Sequence, residues 1–269
     1  LAAAAASVIV LAGCGGGGDS TSAASGATGV SVPSADQVPL DGPPDPSLTV
    51  REIVPALPLP GPVADDPAFH EALDILIAAS HKYWAESLDR NYEYHTPDEF
   101  IAYDGKAGDA GPDCGGEPMG IENAAYCRVP GESEYGLIGW DESGLLYPMY
   151  KQLGDGAVAF VIAHEYAHLA QDRIGTIQQF PLTVEKELNA DCLAGAQWTG
   201  YDTHGADFSQ ADIRSIIDGI TVVGDQPGTA WQDIHAHGSA EQRTQVFFDG
   251  YQHDPDYCIT HYGPGFSGA

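Results

Sequence analysis

The chain has 269 residues, with 39 acidic against 10 basic side chains and a formal net charge of −29. A field of that sign repels phosphate backbones and anionic lipid surfaces, so nucleic-acid binding is excluded as a main role. A 43% share of hydrophobic residues is enough for a sizeable core, which excludes a wholly disordered chain.

From the start of the chain, Leu1 to Gly13 is an Ala/Val/Leu run that reads as the remnant of a signal peptide, too short to span a bilayer. Leu11-Ala12-Gly13-Cys14 resembles a bacterial lipobox. The resemblance implies lipid on Cys14 and an extracytoplasmic, membrane-anchored product. An ordinary secretory signal with an incidental cysteine, giving a secreted protein, is the alternative. Residues 14–65 read as a linker, first Gly/Ser-rich and then Pro-rich, without helical or strand period.

The folded domain is expected over 66–269. Asp66-Pro67 has a cap followed by proline at the first helical position, and a helix should run to Leu88. Phe100 to Tyr103 suggests a short strand. Gly105 to Gly131, crowded with Gly, Asp and Pro, reads as loop and carries Cys114 and Cys127. Tyr135 to Asp141 reads as a strand, expected as a short edge beside a cleft that could pair with an extended chain.

Asp155 to Gly175 predicts a buried helix, with Asp155 as its cap and Gly175 as its stop. Within its apolar surround stand His164, Glu165 and His168. Histidines four apart leave one helical face a turn apart and can grip one metal ion. Glu165 projects about 100° away, within reach of a water on that ion. Two core histidines with ordinary hydrogen bonds are the plainer alternative.

Thr183 opens another helix, ending at Gly200. Its apolar stripe runs through Val184, Leu188, Gly195 and Trp198, with Asp191 where a core residue belongs and Glu187 four residues earlier. Like charges at that spacing repel on a helix, so a buried pair asks for a cation and a donor. Glu187 as third ligand, with Asp191 receiving the free N–H of a ligating histidine, answers both needs.

H-E-Y-A-H, E-L-N-A-D-C-L-A-G, H-G-S-A-E-Q-R (His237 to Arg243) and D-Y-C-I-T together resemble the bacterial neutral zinc metallopeptidase family. The resemblance implies a zincin-like, mainly α domain with a small β element, of the α+β class. It also implies one catalytic Zn²⁺ on His164, His168 and Glu187, with Glu165 catalytic and Asp191 behind the ligands. The activity implied is hydrolysis of a peptide or protein substrate by a zinc-activated water. Leu169-Ala170 depart from the family's tendency to a further His and Val, which puts substrate preference in doubt. The rival readings are a surface-anchored binding module with a structural metal, and a hydrolase of non-peptide amides. A structural zinc would want four protein ligands and no use for Glu165.

Further helices are expected from Asp207-Phe208-Ser209 to about Val222, and from Ser239 to Gly250, both opening on capping boxes. Without Cys14, four cysteines remain, and four allow three connectivities. Pairing Cys114 with Cys127 closes a Gly-rich loop, and pairing Cys192 with Cys258 ties a ligand helix to the C-terminal tail. His237, just before the Ser239 cap, is the candidate donor to a developing oxyanion, since glutamate-zincins commonly draw one from downstream of the third ligand. A purely structural place for His237 and Arg243, holding the final helix, is the alternative. The sequence leaves oligomeric state open.

Overall fold

The computed structural model describes residues 61–88, 92, 94–129, 134–201 and 209–266. The signal remnant, Cys14 and nearly all of the linker lie outside the described residues. The architecture is mostly helical with one three-stranded sheet, an α+β fold.

Helix α1 spans Pro67–Leu88. Asp66 Oδ1 accepts from the Phe69 amide at 3.3 Å, so the expected cap forms. Strands β1 (Glu99–Tyr103), β2 (Ala124–Cys127) and β3 (Leu137–Asp141) make the sheet in the order β1-β3-β2, with β1 parallel and β2 antiparallel to β3. Two expectations are corrected here. The strand read from Tyr135 to Asp141 is the central one, so its backbone is paired on both sides and cannot take up an extended peptide. The edge strand near the motif helix is β2, in a segment read from the sequence as loop. Its four residues are all buried and show no alternation, so period-2 patterning had nothing to register.

After one π-helical turn at Glu142–Leu146 come α2 (Tyr147–Leu153), α3 (Asp155–Ile174) and α4 (Thr183–Tyr201). Helices α5 (Gln210–Val223), α6 (Ala240–Tyr251) and α7 (Pro255–His261) complete the fold. Both predicted capping boxes form, at Ser209–Asp212 and Ser239–Gln242. Asp155 is not a cap. It is the first residue of α3, behind Gly154, where its charge meets the positive end of the helix dipole. The orphan amide of Ala157 is satisfied from another helix, by Ser215 Oγ of α5 at 2.8 Å.

Helix α3 runs through the centre of the molecule. Every residue from Gly156 to Gln171 is buried, against α1, α2, α4, α5 and β2. Its all-round apolarity is the sequence signature of that position. Among the described residues no helix is long and apolar enough to cross a membrane.

The disulfides join Cys114 to Cys127 and Cys192 to Cys258. The second closes a separation of 66 residues and ties α4 to α7, where Asn189 Nδ2 also donates to the Cys258 carbonyl at 3.0 Å. A cross-link of this kind contributes about 2–4 kcal/mol, chiefly by restricting the unfolded chain.

Candidate metal centre

Helices α3 and α4 pack side by side, and the polar groups that interrupt their apolar faces meet. His164 Nε2 lies 3.1 Å from His168 Nε2 and 3.1 Å from Glu187 Oε2, and His168 Nε2 lies 3.3 Å from the same oxygen. His164, Glu165, His168 and Glu187 are all fully buried.

The outer nitrogens show why these three atoms face one another. His164 Nδ1 donates to Asp191 Oδ1 at 2.8 Å, and His168 Nδ1 donates to Gln171 Oε1 at 2.8 Å. The Gln171 amide is itself oriented, because its Nε2 donates to the Lys186 carbonyl and to Asn189 Oδ1, both at 2.8 Å. With each Nδ1–H so committed, both Nε2 lone pairs and a carboxylate oxygen point into one dry space. Three acceptors at that separation repel unless a cation stands between them. Ligand atoms about 2.0–2.1 Å from one tetrahedral zinc stand about 3.3 Å from each other, so the spacing suits that ion. Among the described residues, these three side chains are the group that could hold a metal.

The electrostatics agree. Burial by itself would lower His164, but hydrogen bonds to Asp191 and Glu187 outweigh it and raise the group to about 9. The two carboxylates therefore demand positive charge at His164, which a divalent cation can supply in place of a proton. His168, for which burial dominates, is pushed down to about 4 and is neutral, as a ligand must be. Glu187 is held well below the ordinary carboxylate range by His168 and Lys186, against the opposing cost of burial. Lys186 Nζ meets Glu187 Oε1 at 3.3 Å.

Glu165 leaves α3 on the side of β2. Its Oε2 accepts from the Tyr126 amide at 2.7 Å, so the free edge of β2 is latched to the motif helix at this residue. Its Oε1 is buried with no hydrogen-bond partner among the described residues. Burial pushes the Glu165 carboxyl up to about 7, the range in which a carboxylate can both take and return a proton. The latch is reinforced at the C-terminal end of α3, where Tyr126 Oη donates to Asp172 Oδ2 at 2.8 Å and Arg173 Nη2 donates to the Tyr135 carbonyl at 2.6 Å.

The sequence-predicted residues thus converge in part. His164, His168, Glu187 and Asp191 come together with Glu165 beside them. His237 is nearly buried on the connection between α5 and α6, and its backbone N–H donates to both Asp225 oxygens at 3.0 and 3.1 Å. Its Nδ1 stands 3.8 Å from Asp225 Oδ1. Cys114, Cys127, Cys192 and Cys258 serve the scaffold. Sequence reasoning missed Gln171, whose signal was a polar residue one turn past His168 on a buried helix. It also missed the β2 amide at Tyr126, which had no signal.

A mostly helical α+β domain with a buried H-E-x-x-H helix and a glutamate from the next helix brings together a side-chain trio that could hold a metal ion. The family described as "Putative neutral zinc metallopeptidase" matches residues 62–261, and the chain belongs to it. The Escherichia coli "Uncharacterized protein YpfJ" is 25% identical over 209 residues, 69% of each chain. The Mycobacterium tuberculosis "Uncharacterized protein Rv2575" is 32% identical over 132 residues, covering 40% of this chain and 45% of its own. The Mycobacterium bovis "Uncharacterized protein Mb2605" is similar to the same extent. No solved structure matches.

Proposed function

We propose that the protein is a zinc-dependent metallopeptidase that hydrolyses peptide bonds, with Glu165 as general base. The observation that carries the reading is the trio of converging acceptors, two histidine nitrogens and one Glu187 oxygen, with an unpartnered carboxylate oxygen of Glu165 beside them. A zinc ion on His164, His168 and Glu187 would supply the Lewis acidity that activates water and polarises a peptide carbonyl. Glu165 takes the proton from the attacking water and returns it to the leaving nitrogen. Asp191 and Gln171 hold the two imidazoles with Nε2 inward. Because these side chains are wholly buried, a peptide reaches them only when the packing around them opens.

Complete burial favours the second reading, a structural metal in a binding module. Two observations outweigh it. Three side chains converge rather than the four of a structural zinc, and a carboxyl raised to about 7 is superfluous to a structural site. The experiment is metal analysis of the soluble domain together with a peptide-library digest. Zinc retained in full by a His164→Ala, His168→Ala double variant would end the metal assignment. A wild-type digest with no cleavage would leave the structural reading standing.

His237 is proposed as a donor to the developing oxyanion, held in orientation by Asp225. One such donor is often worth about 3 kcal/mol, so His237→Ala should lower turnover by roughly a hundredfold with metal content and melting temperature near wild type. Equal losses of stability and activity would make it a structural residue.

Anchoring through lipid on Cys14, outside the cytoplasm, is proposed from the Leu11-Ala12-Gly13-Cys14 sequence and the Gly-rich tether after it. Mass spectrometry of membrane-extracted protein should find diacylglycerol on an N-terminal Cys14; an unmodified Cys14 there removes the proposal.

A further inference from the structure

Arg243 is the last residue of the H-G-S-A-E-Q-R stretch and takes no part in the ligand set, yet it is fully buried. Its Nε donates to Asp191 Oδ2 at 2.8 Å and its Nη2 to Asp191 Oδ1 at 2.9 Å, a two-pronged grip on one carboxylate. Asp191 Oδ1 is also the atom that receives His164 Nδ1. The third guanidinium nitrogen, Nη1, donates to the Val223 carbonyl at the end of α5, at 2.9 Å. The guanidinium carbon stands 5.4 Å from the centre of the Phe160 ring, one turn before His164 on α3. Each of its three nitrogens thus donates to an acceptor, two on Asp191 and one on the α5 backbone.

From this geometry we infer that Arg243 is a positioning residue of the metal centre, acting through Asp191 to set the plane of the His164 ring. The inference rests on the zinc reading above. A lone aspartate can present either oxygen and turn about its last side-chain bond, and the imidazole would follow it. The planar fork of an arginine fixes both oxygens at once, which a lysine ammonium cannot do. The Val223 bond in turn fixes the fork to the backbone. His168 is held differently, by an amide whose partners all lie on α3 and α4. The support of His164 instead spans α3, α4, α5 and α6, so the packing of the last long helices enters the metal affinity through this one ligand.

The test measures zinc affinity by competition with a chromophoric chelator at fixed pH, and the visible absorption of the Co²⁺ form. It uses wild type, Arg243→Lys, Asp191→Asn and the double variant. Partners behind metal ligands typically carry about 10–100-fold in affinity, and Arg243→Lys should lose that much because it keeps charge but not the fork. The Co²⁺ spectrum should change with it. In the Asp191→Asn background, Arg243→Lys should change zinc affinity by less than about threefold, since its route to the metal is gone. Zinc affinity within twofold of wild type in Arg243→Lys, or full additivity of the two substitutions, overturns the proposal. Wild-type protein that binds no zinc would sink the metal reading itself. If the lysine variant fails to fold, the measurement moves to wild type with ¹⁵N-labelled arginine. The Arg243 Nε–H resonance should shift on zinc loading, and a resonance indifferent to zinc overturns the proposal.

Discussion

Glu165→Gln should retain its zinc and lose turnover by about 10²–10⁴-fold. The amide has the carboxylate's shape, and its carbonyl oxygen can still accept from the Tyr126 amide, so the β2 latch survives. What it cannot do is take a proton. Glu165 donates nothing to the metal-facing trio, whose atoms come from His164, His168 and Glu187. Metal content and catalysis therefore separate at this residue, and that separation distinguishes a general base from a ligand. Burial makes the charged carboxyl costly, so the variant should also be no less stable than wild type. The check is metal analysis, melting temperature and peptide turnover on the same preparation. Lost zinc would move Glu165 into the ligand set, and undiminished turnover would remove it from the chemistry.

Gly195→Ala should lower stability by about 3 kcal/mol or more, a fall in melting temperature of roughly 6–12 °C for a domain of this size. Helices α4 and α6 approach until backbone touches backbone. A Cβ on Gly195 would stand 1.9 Å from the Phe247 carbonyl oxygen, and one on Gly250 would stand 1.8 Å from the Cys192 carbonyl oxygen. Helix propensity favours alanine over glycine by about 1 kcal/mol, but an overlap with main chain on two facing helices cannot be relieved by turning a side chain. The steric effect wins. Its consequence reaches the metal centre, because α4 carries Glu187 and Asp191 while α6 carries Arg243, so helices forced apart would loosen the grip of the guanidinium. Gly61→Ala, where an added Cβ meets nothing within 4 Å, is the control and should be silent. Equal melting temperatures for the two variants would show that the helices separate without penalty.

The centre was legible to different depths. His164, Glu165 and His168 stood out because three ionisable residues interrupt a stretch that is apolar on every side. Glu187 and Asp191 stood out more weakly, as a like-charged pair on a stripe of core residues. Gln171 and Arg243 did not stand out as parts of a site. Gln171 is one uncharged residue near the end of its helix, and Arg243 shares a helix with polar residues that are exposed. Nothing short of α4 and α6 in contact shows that the arginine is buried on Asp191.

By itself the sequence determined the long helices, the capping boxes at Ser209 and Ser239, and the polar groups that α3 and α4 carry inward. Those features depend on neighbours within a turn or two of the chain, and periodicity records them. Tertiary structure alone decided which strand is central and which is the edge. It placed the four-residue β2 against α3 with its Tyr126 amide on Glu165, and it tied His164 through Asp191 and Arg243 to the end of α5. Each of these depends on a partner tens of residues away: 39 for Tyr126 and Glu165, 52 for Asp191 and Arg243. A strand of four buried residues has no period to read, and a side chain's hydrogen-bond partner is set by how helices pack, which local sequence does not encode.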